Sequence, residues 1–288
     1  LFLLAAGLTL VFGIMDMVNL AHGSLYMMGA YFAATFVDWT GSFFLGLLLA
    51  LPAAFLLGVV LERVALSTLY SRDHLDQVLA TFGLILFFNE LVRLVWGPGG
   101  RTIPLPTALN GTVTLLPGLD YPIYRLIVIV VGAAVAFFLY WLVAKTKLGM
   151  RIRAGASNRE MIGALGVDIR LLYTLVFGLG AAFAALAGIM TAPITTAQIG
   201  MGESILIIAL VVIVIGGIGS IRGAFVAALL VGMIDTMGRA FLPELLRVFM
   251  SAPAANTLAP ALASMLIYLL MALVLFLRPE GLFPARQG

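Results

Sequence analysis

Asp16, Asn19 and His22 stand three residues apart. At about 3.6 residues per turn that spacing places them along one stripe of an α-helix. They close the first apolar run of the chain and are followed by Gly23-Ser24, where a kink or helix break would free backbone groups for a solute or for neighbouring helices. Two readings are open for the trio: solute contact, or a helix end whose polar side chains cap and tether its neighbours. Glu90 and Arg93 are i and i+3, and Asp235 has Arg239 one turn further on, so each acid has a base within pairing distance. Each pair reads either as a structural salt bridge or as a polar feature of a solute path, because ionisable groups in apolar segments are costly to keep. His74 lies in Arg72-Asp-His-Leu-Asp76 and reads as part of a solvated charged turn.

Other chemistry is excluded by what the chain lacks. There is no Cys and there are two His, which removes disulfides, thiolate zinc sites, Cys nucleophiles and His-rich metal centres. No Gly-x-x-x-x-Gly-Lys-Ser/Thr occurs, so ATP binding through a P-loop is not expected of this chain. Neither His-Glu-x-x-His nor Gly-x-Ser-x-Gly is present, and an intramembrane enzyme survives only as a triad assembled in space.

The elements that must hold these residues follow from composition. Hydrophobic residues make up 63% of the 288 and charged residues 10%, and the mean hydropathy is +1.16; soluble domains carry roughly 25% charge. A net charge of +3 on scattered basic residues gives no nucleic-acid surface. Uncharged runs cover Ser42 to Leu61, Leu126 to Ala144, Leu171 to Gly202, Ser204 to Ile221 and Val248 to Leu277, against the roughly 20 apolar residues a transmembrane helix requires. Weaker runs lie at 1–21, 23–37, 77–96 and 223–241. The expected fold is therefore all-α, a polytopic helical bundle of eight to nine spans in one domain over 1–288, with one span short or broken near the N-terminus. The chain opens inside an apolar run without Met or a charged leader, so a natural N-terminus is expected to precede Leu1, and no signal peptide is read.

Eleven basic residues (among them Arg63, Arg72, Lys145, Arg170, Arg222, Arg278 and Arg286) fall on one side of this layout and five, Arg93, Arg101, Arg125, Arg239 and Arg247, on the other. The positive-inside rule then puts loop 145–170 and the C-terminus in the cytoplasm and loop 97–121 outside. Gly180, Ala184 and Gly188, and separately Gly219 and Gly223, have the spacing of close helix packing. Loop 145–170 carries Arg151 and Arg153 and then Ser157-Asn158-Arg159-Glu160, a capping box with Ser157 as N-cap. A short helix is expected from there to about Leu165, ended by a left-handed Gly166. Its Met161, Ile162, Ala164 and Leu165 form an apolar knob that either packs on the chain's own helices or docks on a cytosolic partner.

Gly7-Leu-Thr-Leu-Val-Phe-Gly13 and Val18-Asn-Leu-Ala-His-Gly-Ser-Leu-Tyr-Met-Met-Gly-Ala-Tyr31 resemble the opening of the permease subunits of branched-chain amino acid ABC importers of the LivH type. Gln77 to Gly83, Leu148 to Ala154 with Asn158, Gly163 to Gly166, Val214 to Ser220 with Gly223-Ala224, and Arg278-Pro-Glu-Gly-Leu-Phe283 resemble that family in the same order, so the resemblance covers essentially the whole chain.

The resemblance implies a transport subunit of a bacterial inner membrane, importing leucine, isoleucine and valine. Its partners would be a second and different permease, two cytosolic ATPases holding ATP and Mg, and an extracytoplasmic solute-binding protein, with no cofactor in this chain. It also implies that the short helix is the coupling helix, with Ser157, Asn158, Met161 and Leu165 as contact residues beside Arg151, Arg153 and Glu160. Ser24 stands where related permeases often carry an acid, which argues against a carboxylate there meeting the solute ammonium. A urea or short-amide permease of the same superfamily is the alternative, because a shared scaffold does not fix the substrate.

Overall fold

The computed structural model describes residues 1–17, 19–116 and 119–283; Arg286 lies outside the described residues. Its helices are α1 (Phe2–Met15), α2 (His22–Thr40), α3 (Phe43–Val64), α4 (His74–Trp96), α5 (Ile123–Lys145), α6 (Lys147–Ser157), α7 (Arg159–Ala164), α8 (Ile169–Thr191), α9 (Met201–Gly216), α10 (Ile221–Arg247) and α11 (Ala252–Leu277). One hairpin, β1 (Thr112–Leu116) with β2 (Leu119–Pro122), interrupts them in the loop before α5.

Local sequence sets the ends. Side chains of Ser42, Asp168 and Ser220 accept from the backbone N–H groups of Leu45, Leu171 and Gly223, opening α3, α8 and α10. Gly41 and Gly97 terminate α2 and α4 at positive φ.

Six helices, α3, α4, α5, α8, α10 and α11, are long and apolar enough to cross a bilayer. The expected eight to nine is not reached on that criterion. The reason is chemical: α1 and α9 have 14 and 16 residues, against the roughly 20 needed. The 19-residue α2 is diluted by His22, Ser24, Thr35 and Asp38.

Buried α8 is the axis of the bundle. It packs against α1, α2 and α3, while α9, α10 and α11 form a second group joined to the first through α1 and α2. Small residues make this possible: an added Cβ on Gly7 would lie 2.6 Å from the Gly180 carbonyl oxygen, and one on Gly188 would run into the Tyr26 carbonyl. Gly180, Ala184 and Gly188 thus form the expected ridge, facing α1 and α2. The second expected ridge is corrected. Gly219 lies before α10 with φ +80°, and Gly223 instead meets Gly216 backbone to backbone across the α9–α10 turn.

Candidate functional site

The polar trio does not form a helix stripe. Helix α1 stops at Met15, Asp16 is its C-cap in the left-handed region (φ 50°), and α2 begins only at His22. A left-handed Asp is tolerated because its short polar side chain bonds locally, and it turns the chain away from the helix axis. The break therefore falls between Asp16 and His22 and not at Gly23-Ser24, which lie inside α2, and it separates the three residues. Asp16 is exposed, whereas Asn19 and His22 are buried at 2% and 0%.

Burial there comes without hydrogen bonds. Among the described residues, both amide atoms of Asn19, both ring nitrogens of His22 and the hydroxyls of Thr9 and Tyr31 lack a partner of ordinary geometry. The His22 ring faces the Leu4 carbonyl and lies 3.0 Å from where a Gly7 Cβ would stand. Buried polar groups are nearly always satisfied in folded proteins, and Asn19 and His22 carry theirs beside a helix break.

Elsewhere the expected acid–base pairs form. Arg93 donates to Glu90 at 2.8 Å and Arg239 to Asp235 at 2.9 Å, both pairs on exposed faces. Neither pair approaches the Asn19–His22 break in sequence or joins its hydrogen bonds.

Sequence reasoning missed a cluster at the basic end. Glu62, 3% exposed, accepts from the Tyr70 hydroxyl at 2.6 Å through one oxygen and from the Thr174 hydroxyl at 2.7 Å through the other. Burial, with Glu62 beside it, pushes the Tyr70 phenol well above its ordinary range, so it stays a donor. The Tyr70 ring packs edge-on against Tyr173 at 5.2 Å, and the Tyr173 hydroxyl reaches the Ile14 carbonyl at 3.5 Å. The carboxyl thus ties the end of α3 to the first turns of α8, and Tyr173 ties α8 to the end of α1. The only sequence signal was an acid directly abutting an apolar run. Glu62→Leu is expected to destabilise the protein by about 2–3 kcal/mol, because the Tyr70 and Thr174 hydroxyls lose a shared carboxyl acceptor. Tyr70→Phe should cost about 1 kcal/mol; equal unfolding midpoints in detergent for Glu62→Leu and the parent would refute this.

After α5 the chain turns sharply. The Thr146 hydroxyl accepts from the Gly149 N–H at 3.0 Å, and a side chain at Gly149 would collide with the Leu142 and Val143 carbonyls. Helix α6 follows through Ser157, with Gly149, Ile152 and Gly155 buried and Arg151 and Arg153 exposed. The capping box is corrected at this point. Ser157 is the last residue of α6, and Asn158 is the N-cap of α7, its Oδ1 accepting from the Met161 N–H at 2.9 Å. Asn and Ser are equally good N-caps, and the choice falls on Asn158 because α6 runs one residue further than the Ser reading allows. Gly166 closes the segment at φ +85° as expected. Ile162 is buried, while Met161 and Leu165, one turn apart, are 60% and 75% exposed, with Glu160 also exposed.

Residues 1–275 match the family described as branched-chain amino acid transport system, permease component. This chain belongs to that family. It is similar to the high-affinity branched-chain amino acid permease BraD of Pseudomonas aeruginosa, 29% identical over 97% of this chain and 90% of that protein. It is also similar to LivH of Escherichia coli, at 28% over 83% of this chain and 82% of the relative. LivM of the same bacterium is 28% identical over 98% of this chain and 67% of its own length. No solved structure matches the permease.

Proposed function

We propose that the chain is the membrane permease of an ATP-driven importer of branched-chain amino acids, in which Met161 and Leu165 of α7 dock on a cytosolic ATPase. The exposed Met161–Leu165 pair on a capped six-residue helix carries this reading, because two large apolar side chains beside Arg151 and Arg153 call for a partner. In this reading the basic end, with loop 145–170 and the C-terminus, faces the cytoplasm of a bacterial inner membrane, and the β1–β2 loop faces outward. ATP and Mg sit on two partner ATPases, since uphill transport needs coupled free energy and this sequence carries no P-loop. A solute-binding protein delivers the amino acid. The relative LivM, similar over nearly the whole chain, supports a different permease as the second membrane subunit.

The mechanism follows from the connection of α7 to α8. Asp168 caps α8 two residues after Gly166, so a displacement of α7 by ATPase closure passes directly to the first turn of the central helix. There the Glu62 cluster links it to the end of α1, beside the break. Alternating access then amounts to moving α1 and α2 about that break, which exposes Asn19 and His22 first to one side and then to the other. A zwitterion cannot cross hydrocarbon unaided, and the polar side chains of Asn19 and His22 between apolar walls suit it.

Proteoliposomes holding this chain, its companion permease, both ATPases and the binding protein are expected to accumulate labelled leucine with ATP, and excess unlabelled valine should block uptake. Urea accumulation without leucine uptake would move the substrate and leave the architecture; no ATP-dependent uptake by an assembled complex would overturn the importer reading.

A further inference from the structure

Asp235, the acid of the Asp235–Arg239 pair, lies at a depth where a carboxylate facing lipid is costly. Asp235 is 14 residues after Ile221 and 12 before Arg247 in the 27-residue α10. At about 1.5 Å per residue these are about 21 and 18 Å from the helix ends, near the middle of a hydrocarbon core about 30 Å thick. Its side chain is 31% exposed and that of Arg239 52%. A carboxylate exposed to acyl chains at that depth is expensive, and its partner Arg239 stands one turn nearer the outer end. The other three ion pairs among the described residues lie nearer the opposite, outer end: Glu90–Arg93 in the last turns of α4, Arg101–Asp38 at the end of α2, and Glu244–Arg247 at the end of α10.

The surface of α10 divides into three sectors. Ala224, Ala227, Val231 and Gly238 are buried against neighbouring helices. Leu229, Met233, Met237 and Phe241, four residues apart, are exposed and apolar, the stripe that suits lipid. Between these lie Gly232, Asp235, Thr236 and Arg239, with open space beside the Gly232 Cα. That third sector is partly to fully exposed and carries the polar side chains of the helix, as the lining of a watered passage would.

We propose that the Asp235–Arg239 sector of α10 lines the solute pathway, closed on its far side by the second permease, and that the pair opens to receive a zwitterion, Asp235 taking the ammonium and Arg239 the carboxylate. A carboxylate and a guanidinium one helical turn apart present both charges that an α-amino acid needs, and their bond to each other at 2.9 Å satisfies them while the site is empty. The inference rests on the amino acid reading above, since uncharged urea has no use for the pair.

The absence of Cys makes the face directly testable. Thr236→Cys, the sole thiol of this chain, should react in the assembled transporter with a charged, membrane-impermeant methanethiosulfonate, which does not reach a thiol in lipid or in a dry interface. Asp235→Asn should lower leucine uptake at least tenfold while binding-protein-stimulated ATP hydrolysis persists, and Asp235→Asn/Arg239→Gln should be equally impaired. A purely structural bridge predicts the reverse for the double variant, because removing both charges removes the cost of an unpaired one. An unreactive Thr236→Cys, or normal uptake by the double variant, overturns the proposal. ATP hydrolysis without leucine accumulation by the parent complex would instead sink the substrate reading itself, and the labelling would still report whether the face is wet.

Discussion

Replacing Met161 and Leu165 together by Glu is expected to release the ATPase subunits and abolish ATP-dependent uptake, while the permease itself keeps its thermal stability. The two side chains are 60% and 75% exposed, so little within this chain depends on them. Burying such a side chain against a partner contributes about 1.5–3 kcal/mol. Losing two of them, and placing two carboxylates in the groove that received them, removes on the order of 4 kcal/mol or more, a factor of about a thousand in affinity. Ile162→Ala provides the contrast: Ile162 is 6% exposed and holds α7 against the protein, so its loss should lower the permease's own stability by about 2–5 kcal/mol. The measurement is co-purification of the ATPases with tagged permease, alongside melting in detergent. Retained ATPases in the double Glu variant would show that α7 is not the docking element.

That helix was legible in the sequence because capping chemistry is local. Asn158, Glu160 and Gly166 need only their neighbours to announce a short helix, and the one-residue error in its start came from α6, whose extent depends on Gly149 and Ile152 burying against the bundle. The long spans were legible for the same reason: a run of apolar residues commits to a helix in lipid whatever surrounds it. What depends on the third dimension was not visible. Asp16, Asn19 and His22 have helical spacing, and nothing in their identities shows that Asp16 adopts a left-handed cap, leaving Asn19 buried ahead of α2 and His22 buried at its first residue. Glu62 was likewise hidden, because its partners Tyr70 and Thr174 are 8 and 112 residues away. The short α1 and α9 share the same origin: shielded by α8, α10 and α2, they need not match the bilayer thickness, so length rules for spans do not apply to them.

Gly188→Val is expected to prevent stable folding, and Gly188→Ala to lower stability by about 3 kcal/mol, the upper range for overpacking a rigid contact. At this position α8 presses on α2 so closely that an added Cβ would overlap the Tyr26 carbonyl and lie 3.3 Å from the Ala30 nitrogen. Both neighbours are main-chain atoms, which no rotamer change can move aside. The helices must separate, and with them goes the contact of Ala185 on Gly29. Gly132→Ala is the control, since nothing lies within 4 Å of a Cβ built there, and it should be neutral or stabilising by up to about 1 kcal/mol from helix propensity. Function should be more sensitive than folding. Helix α2 starts at His22, four residues before Tyr26, so any shift that relieves the clash also displaces His22 and Asn19 from the break. For Gly188→Ala, uptake measured well below its unfolding midpoint should therefore already be reduced several-fold, with ATPase docking intact. Normal uptake at such temperatures would show that the α2–α8 contact holds the bundle together without setting the geometry of the break.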